Sequence, residues 1–174
     1  MQIVYRLTAA AFLTLALSSP ALSQIVPPEA REVSLAGPRF GGTFLSDGIV
    51  TTLRKIDHIN VAPVITQFGW QFEKQFYSSP NGPSAVTEAV VLFGGLEQGY
   101  ALPSLSWLVG VRSKQGTEFG VGPNITPVGV ALVLAAGKTF RAGVLNVPVN
   151  VAVVPSKSGV RVSMLTGFSV RRRQ

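Results

Sequence analysis

The segment from Val64 to Tyr77 alternates between large apolar residues and small or polar ones. Because successive side chains of a β-strand point to opposite faces, this alternation predicts a strand with one aromatic face and one polar face. A strand with two such faces suits a barrel that has a polar interior and a lipid-facing exterior. The aromatic face carries Phe68, Trp70, Phe72 and Phe76, and the opposite face carries Gln67, Gly69, Gln71, Glu73 and Gln75.

The same alternation recurs after residue 33 and predicts eight strands joined by hairpin-length connections. Most of these strands are longer than the roughly 5–6 residues usual in soluble proteins. Their lengths approach or exceed the roughly 9–11 residues that cross a bilayer when tilted, and barrels of this kind have even strand numbers. We therefore predict an all-β fold, an eight-stranded antiparallel up-and-down β-barrel of the transmembrane type. The predicted strands are 33–46, 61–77, 85–98, 104–113, 117–122, 128–141, 144–154 and 160–170.

Two local features modify this pattern. Pro38 is expected to break or bulge the first strand, because proline cannot donate a ladder hydrogen bond. Residues 123–127 begin and end with proline and are predicted to form a loop.

One short helix is predicted after the first strand, over residues 47–60. Asp47 can cap its N-terminus, and Ile49, Leu53 and Ile56 fall on one helical face. We favour a loop helix packed on the end of the barrel. The alternatives are a plug and a helix in the membrane interface with its basic residues at the lipid headgroups.

The N-terminus has the pattern of a secretory signal peptide over residues 1–23, with a basic residue, an apolar run and a small-x-small cleavage site. Residues 24–32 then form an extended lead-in, and 33–174 form a single barrel domain. We expect an exported protein. There is no Cys, so disulfides and thiolate metal sites are excluded.

Composition and motifs argue against several functional classes. The chain has a formal net charge of +7, but its basic residues are scattered, and binding to nucleic acid is not expected of an exported chain. His58 is the single histidine, and no nucleophile motif or phosphate-binding loop is present. We predict no catalysis and no cofactor or metal.

The polar faces of the predicted strands would meet inside the barrel. Because an eight-stranded barrel is just wide enough to be filled by its own side chains, we favour a hydrogen-bonded interior over an ion or solute pathway. Inward glycines leave a narrow pore as the alternative. The predicted interior polar network consists of Arg39, Gln67, Gln71, Glu73, Gln75, Arg112, Glu118, Arg141 and Arg161.

The aromatic residues have two interpretations. In a membrane barrel they face lipid, whereas in a soluble periplasmic barrel they line a cavity that binds a lipophilic small molecule. The residues concerned are Phe68, Trp70, Phe72, Phe76, Trp107 and Phe168.

Five segments, 37–41, 67–73, 95–99, 118–124 and 155–161, resemble a group of uncharacterised exported bacterial proteins that are similar to small outer-membrane β-barrel proteins. Taking pattern and resemblance together, we predict a barrel in the bacterial outer membrane with both termini in the periplasm, and with outer-membrane lipid and the barrel-insertion machinery as partners. We expect a structural or adhesive role, or that of a narrow, porin-like pore.

The C-terminus departs from the pattern of such barrel proteins. Their precursors commonly end on an aromatic residue, whereas Phe168 is followed by six residues that include three arginines. Either this basic tail extends into the periplasm, or the outer-membrane location is wrong.

Overall fold

A computed structural model describes residues 35–79 and 82–170 of the chain. The predicted signal peptide (1–23), the lead-in (24–32) and the basic C-terminal tail (171–174) lie outside the described residues.

The described chain folds into a closed antiparallel barrel, as predicted. Neighbouring strands pair in chain order, and β1 also pairs with β8, which closes the sheet. Ser169–Val170 continue β8 after a one-residue interruption and keep its register against β7. The eight strands are β1 (Gly37–Leu45), β2 (Val64–Ser78), β3 (Ser84–Gly94), β4 (Leu102–Arg112), β5 (Thr117–Thr126), β6 (Gly129–Ala142), β7 (Leu145–Ser156) and β8 (Gly159–Gly167).

Two predicted strand boundaries were wrong. β3 ends at Gly94, because Gly95 and Gly99 adopt positive φ angles around a 3-10 turn, Leu96–Gln98, which turns the chain out of the sheet. β5 continues through Pro123 to Thr126, because that segment stays paired with β6 throughout. The predicted loop at 123–127 is therefore mostly strand.

Pro38 does not break the first strand. It pairs with Trp70 in an uninterrupted register between β1 and β2, while pairing with β8 begins only at the next residue. The missing N–H of proline is tolerated because this position lies at the start of the strand.

The predicted helix is present as α1 (Asp47–Asp57), which ends before the predicted residue 60. Its N-cap is Ser46 and not Asp47, and the Ser46 hydroxyl accepts a hydrogen bond from the Val160 N–H of β8. The helix ends at His58, which adopts the left-handed conformation. Among the residues that the structure describes, no helix combines the length and apolar content needed to cross a bilayer.

The helix packs over one end of the barrel. Ile49, Val50 and Leu53 of α1 join an apolar cluster with barrel residues such as Leu45 and Leu102. This is the arrangement of a loop helix that covers one mouth of the barrel. We call this end of the barrel the helical end. The opposite end carries residues 35 and 170 and the β2–β3, β4–β5 and β6–β7 turns, and we call it the terminal end.

Inward-facing glycines bring the strands close together. A Cβ atom added at Gly69 would lie 1.9 Å from the Val91 carbonyl oxygen of β3, whereas one added at Gly42 would be 3.6 Å from its nearest neighbour, the Ile65 carbonyl oxygen. Gly69 therefore permits a close backbone approach that any side chain would disturb.

We predict that Gly69→Ala lowers the free energy of unfolding by about 1–3 kcal/mol or more, because the added methyl group must displace backbone. Gly42→Ala is the matched control and should change it by less than about 0.5 kcal/mol. Urea unfolding in detergent, followed by tryptophan fluorescence, measures both. Equal stability of the two variants would contradict the close packing.

Candidate functional site

A cluster of charged side chains fills the barrel near the terminal end. Arg112 donates from Nη1 and Nη2 to the two carboxylate oxygens of Glu73, over 2.7 and 2.5 Å, and from Nε to Oε2 of Glu118 over 2.7 Å. Its Nη2 lies 4.0 Å from Oε1 of Glu88. Bidentate, charge-assisted hydrogen bonds of this kind are among the strongest in proteins. Arg112 thus holds together carboxylates from three strands.

The strand register explains why these side chains meet. Arg112 lies directly opposite Glu118 across the β4–β5 ladder, and Glu73 lies opposite Glu88 across the β2–β3 ladder. All four residues point inward. Arg112 and Glu73 lie on strands that are not neighbours, so the Arg112 side chain reaches past β3 on the inner face of the barrel to form this interaction.

Arg39 extends the cluster on its β1 side. Only 1% of Arg39 is exposed, and its Nε donates to Oε1 of Gln71 over 3.0 Å, while its Nη2 donates to the Leu35 carbonyl oxygen. The Gln71 amide in turn donates to Glu73 over 3.5 Å. We call Arg39, Gln71, Glu73, Glu88, Arg112 and Glu118 the charged layer.

The charged layer combines two arginines with three glutamates. The carboxylate oxygens of Glu73, Glu88 and Glu118 lie within 4.8 Å of one another, a spacing that could hold a metal ion. However, the guanidinium group of Arg112 already contacts all three. The arrangement is therefore an ion-pair cluster in which arginine occupies the position that a cation would take.

A second polar layer lies near the helical end. Arg161 of β8 donates to Oγ1 of Thr126 and Oδ1 of Asn124, each over 2.8 Å. Asn124 then donates to the hydroxyl groups of Ser104 and Ser106. Among the described residues, no carboxylate pairs with Arg161, so neutral oxygen atoms alone solvate its buried charge.

Gln67 also lies in this second layer, but it takes no part in the hydrogen bonds around Arg161. Its Oε1 atom accepts from the Thr43 hydroxyl over 2.6 Å, and that hydroxyl lies 2.7 Å from the Ser163 hydroxyl. Gln67 is therefore separated from Gln71 and Glu73, with which the alternating pattern of β2 had grouped it.

The two polar layers are separated by an apolar layer. Along β4, for example, Leu108 lies between Arg112 and Ser106. This packed apolar zone fills the centre of the lumen and leaves little room for a continuous aqueous path. The layer consists of Val90, Leu92, Leu108, Val133, Val154 and Leu165.

The two remaining predicted network residues lie outside both layers. Gln75 and Arg141 line a cavity at the terminal end, where Gln75 is half-buried and Arg141 is exposed. The structure therefore brings Arg39, Gln71, Glu73, Arg112 and Glu118 together, and it leaves the other predicted residues in separate groups.

Sequence reasoning missed Glu88 and Asn124. The alternation of β3 could have placed Glu88 inside beside Val86 and Val90, whereas Asn124 was hidden by the prolines that predicted a loop. Glu97 lies in the 3-10 turn and accepts hydrogen bonds from the Thr66 hydroxyl and N–H groups. These hydrogen bonds lower the pKa of the Glu97 carboxyl to about 2.

The predicted aromatic set lies on the outside of the barrel. The exposed fraction of these residues ranges from 46% for Trp70 to 62% for Trp107. A cavity lined by these aromatics, as the soluble alternative requires, does not fit this geometry. The six residues are Phe68, Trp70, Phe72, Phe76, Trp107 and Phe168.

Comparisons with known proteins returned no similarity: no protein-family model, no curated protein and no solved structure matches the chain.

We predict that Arg112→Gln lowers the free energy of unfolding by about 3–5 kcal/mol, because it leaves buried carboxylates without their cation. Lys138→Gln removes an outward-facing charge from β6 and should change stability by no more than about 0.5 kcal/mol. Urea titration of both variants in the same detergent measures the difference. A similar small effect for both would show that the charged layer is not a cooperative ion-pair cluster.

Proposed function

We propose that this protein is a bacterial outer-membrane β-barrel with a structural or adhesive role and without catalysis. The observation that carries the proposal is the exterior of the barrel, where all eight strands expose large apolar side chains. Examples from different strands are Phe44, Phe72, Trp107, Leu132 and Met164.

This apolar exterior suits the hydrocarbon region of a lipid bilayer. Soluble monomers rarely expose a contiguous apolar patch larger than about 300–600 Å², whereas here such side chains recur around the barrel circumference. The closed ladder also satisfies the backbone hydrogen bonds that lipid cannot satisfy. The predicted signal peptide and the resemblance to outer-membrane barrels support the outer membrane as the location.

The filled interior favours the structural or adhesive role over that of a pore. The charged layer, the apolar layer and α1 follow one another between the two ends of the lumen. With the termini in the periplasm, the helical end would face the outside of the cell. Its helix and the exposed part of the 3-10 turn would then be the surface available for adhesion.

The location is tested by two matched Val→Arg variants. Val121 lies outward in the middle of β5, and Val144 lies in the β6–β7 turn at the terminal end, and both are exposed. Val121→Arg should destabilise the inserted barrel by about 2–4 kcal/mol, and Val144→Arg by no more than about 1 kcal/mol, because the cost of arginine depends on its depth in the bilayer.

The measurements are outer-membrane fractionation and the shift in apparent size on gels before and after boiling. The wild type and Val144→Arg should be recovered as folded barrels in the outer membrane, and Val121→Arg in reduced amount. Recovery of the wild type as a soluble periplasmic protein, or equal behaviour of the two variants, would refute the membrane location.

The non-conducting lumen is tested in planar bilayers. We expect purified protein to insert without stable ion conductance, because the apolar layer would have to be hydrated for ions to pass. The interior of an eight-stranded barrel is just wide enough for its own side chains to fill. Reproducible single-channel steps from the wild-type protein would instead establish the narrow-pore role.

A further inference from the structure

A polar cavity opens at the terminal end of the barrel, above the charged layer. Its volume is about 190 Å³, which exceeds the roughly 150 Å³ of a cavity that holds one benzene molecule. The cavity therefore has room for a small single-ring solute. Among the residues that the structure describes, serine, threonine, asparagine and glutamine side chains and three cationic residues line it, and no acidic side chain does.

One wall of this cavity presents a row of polar residues on neighbouring strands. Asn146 of β7 lies opposite Arg141 of β6 and also opposite Ser169. Residues opposite one another in an antiparallel ladder have Cβ atoms about 4.5–5.5 Å apart, so their side chains can contact one ligand together. Thr139 lies on the same wall, one inward position deeper along β6.

This wall carries three buried side-chain atoms that have no hydrogen-bond partner among the described residues. Asn146 is only 1% exposed, yet neither its Nδ2 nor its Oδ1 atom has a partner among the described residues. The hydroxyl group of Thr139 is likewise buried and unpartnered, as is that of Ser169, which lies beside Asn146 but does not line the cavity. Since buried polar groups in native proteins are nearly always paired, this concentration indicates a surface built to bind something polar.

The charges around the cavity favour an anion. Arg112 forms part of the lining, but its charge is offset by the charged layer beneath the cavity, which holds three glutamates and two arginines. Lys114 also lines the cavity, and Arg141 adds a further positive charge to the lining. Among the described residues, none forms a hydrogen bond or ion pair with the Arg141 side chain, so its guanidinium group is available for a ligand.

We propose that this cavity is a binding site for a small hydroxylated anion, such as an acidic sugar or a sugar phosphate. Arg141 pairs with the carboxylate or phosphate group, because a guanidinium group forms bidentate hydrogen bonds with either. Asn146 Nδ2 and the Thr139 hydroxyl donate to ligand oxygen atoms, while Asn146 Oδ1 accepts from a ligand hydroxyl. The proposal rests on the barrel fold and not on the membrane location.

Isothermal titration of the full-length protein in detergent with glucuronate, glucose 6-phosphate and neutral glucose tests the site. We expect saturable binding of at least one of the two anions with one ligand per barrel, and at least about tenfold weaker binding of glucose. The better anion identifies the preferred acidic group.

Variants separate this site from general charge attraction. Arg141→Gln should weaken binding by about 10- to 100-fold, and because Arg141 is exposed the fold should be unaffected. Arg54→Gln removes an exposed arginine at the helical end and is the matched control, with less than about a twofold effect expected.

Asn146→Leu provides a signature that a purely structural residue would not give. Binding should fall by at least about tenfold, while the midpoint of urea unfolding stays the same or rises, because two unpartnered buried polar atoms are removed. The proposal is overturned if neither anion binds at concentrations up to about 10 mM. Equal binding of glucose, or equal weakening by Arg54→Gln and Arg141→Gln, would overturn it as well.

Discussion

Closure of the hydrogen-bonded ladder between β1 and β8 is the constraint on which the rest of this structure depends. It removes the exposed strand edges that an open sheet would leave, so the backbone N–H and C=O groups of the strands need no hydrogen-bond partners from the surroundings. It also sets the width of the interior, which at eight strands is narrow enough for side chains to fill. Inward glycines such as Gly69 allow this tight sheet to form without displacing backbone. The outer face of the barrel can then be apolar, whereas the polar side chains of the interior must form hydrogen bonds with one another.

The interior meets that requirement in three different ways. In the charged layer, Arg112 pairs with carboxylates from separate strands. Near the helical end, Arg161 is solvated by the neutral oxygen atoms of Thr126 and Asn124, with no carboxylate partner in the described part of the chain. On the wall formed by β6 and β7, the Asn146 amide and the Thr139 hydroxyl have no hydrogen-bond partner among the described residues. The first two arrangements explain how the barrel stays filled and stable. The third leaves buried polar atoms without partners, and this is where we propose that a ligand binds.

Much of the architecture follows from local pattern. A period of two, repeated over long segments with short connections, leaves few options other than a barrel with unlike faces. The predicted interruptions of strands were wrong where a proline was given more weight than the alternating pattern around it. Pro38 and Pro123 indicated interruptions, yet both lie in strands because another neighbouring strand keeps the ladder paired. Glu88 was overlooked, although its position relative to Val86 and Val90 places it inside.

The sequence by itself determined the class of fold, the two faces of each strand and most of the charged residues that lie inside, because alternation is a local property of the backbone. Which of those residues meet was decided only by the closed barrel. Arg112 reaches Glu73 past the intervening strand β3, and Gln67 is separated from Gln71 although both lie on the same face of β2. Such contacts depend on strand register and on the tilt of strands around the barrel, and these emerge only when all eight strands close on one another.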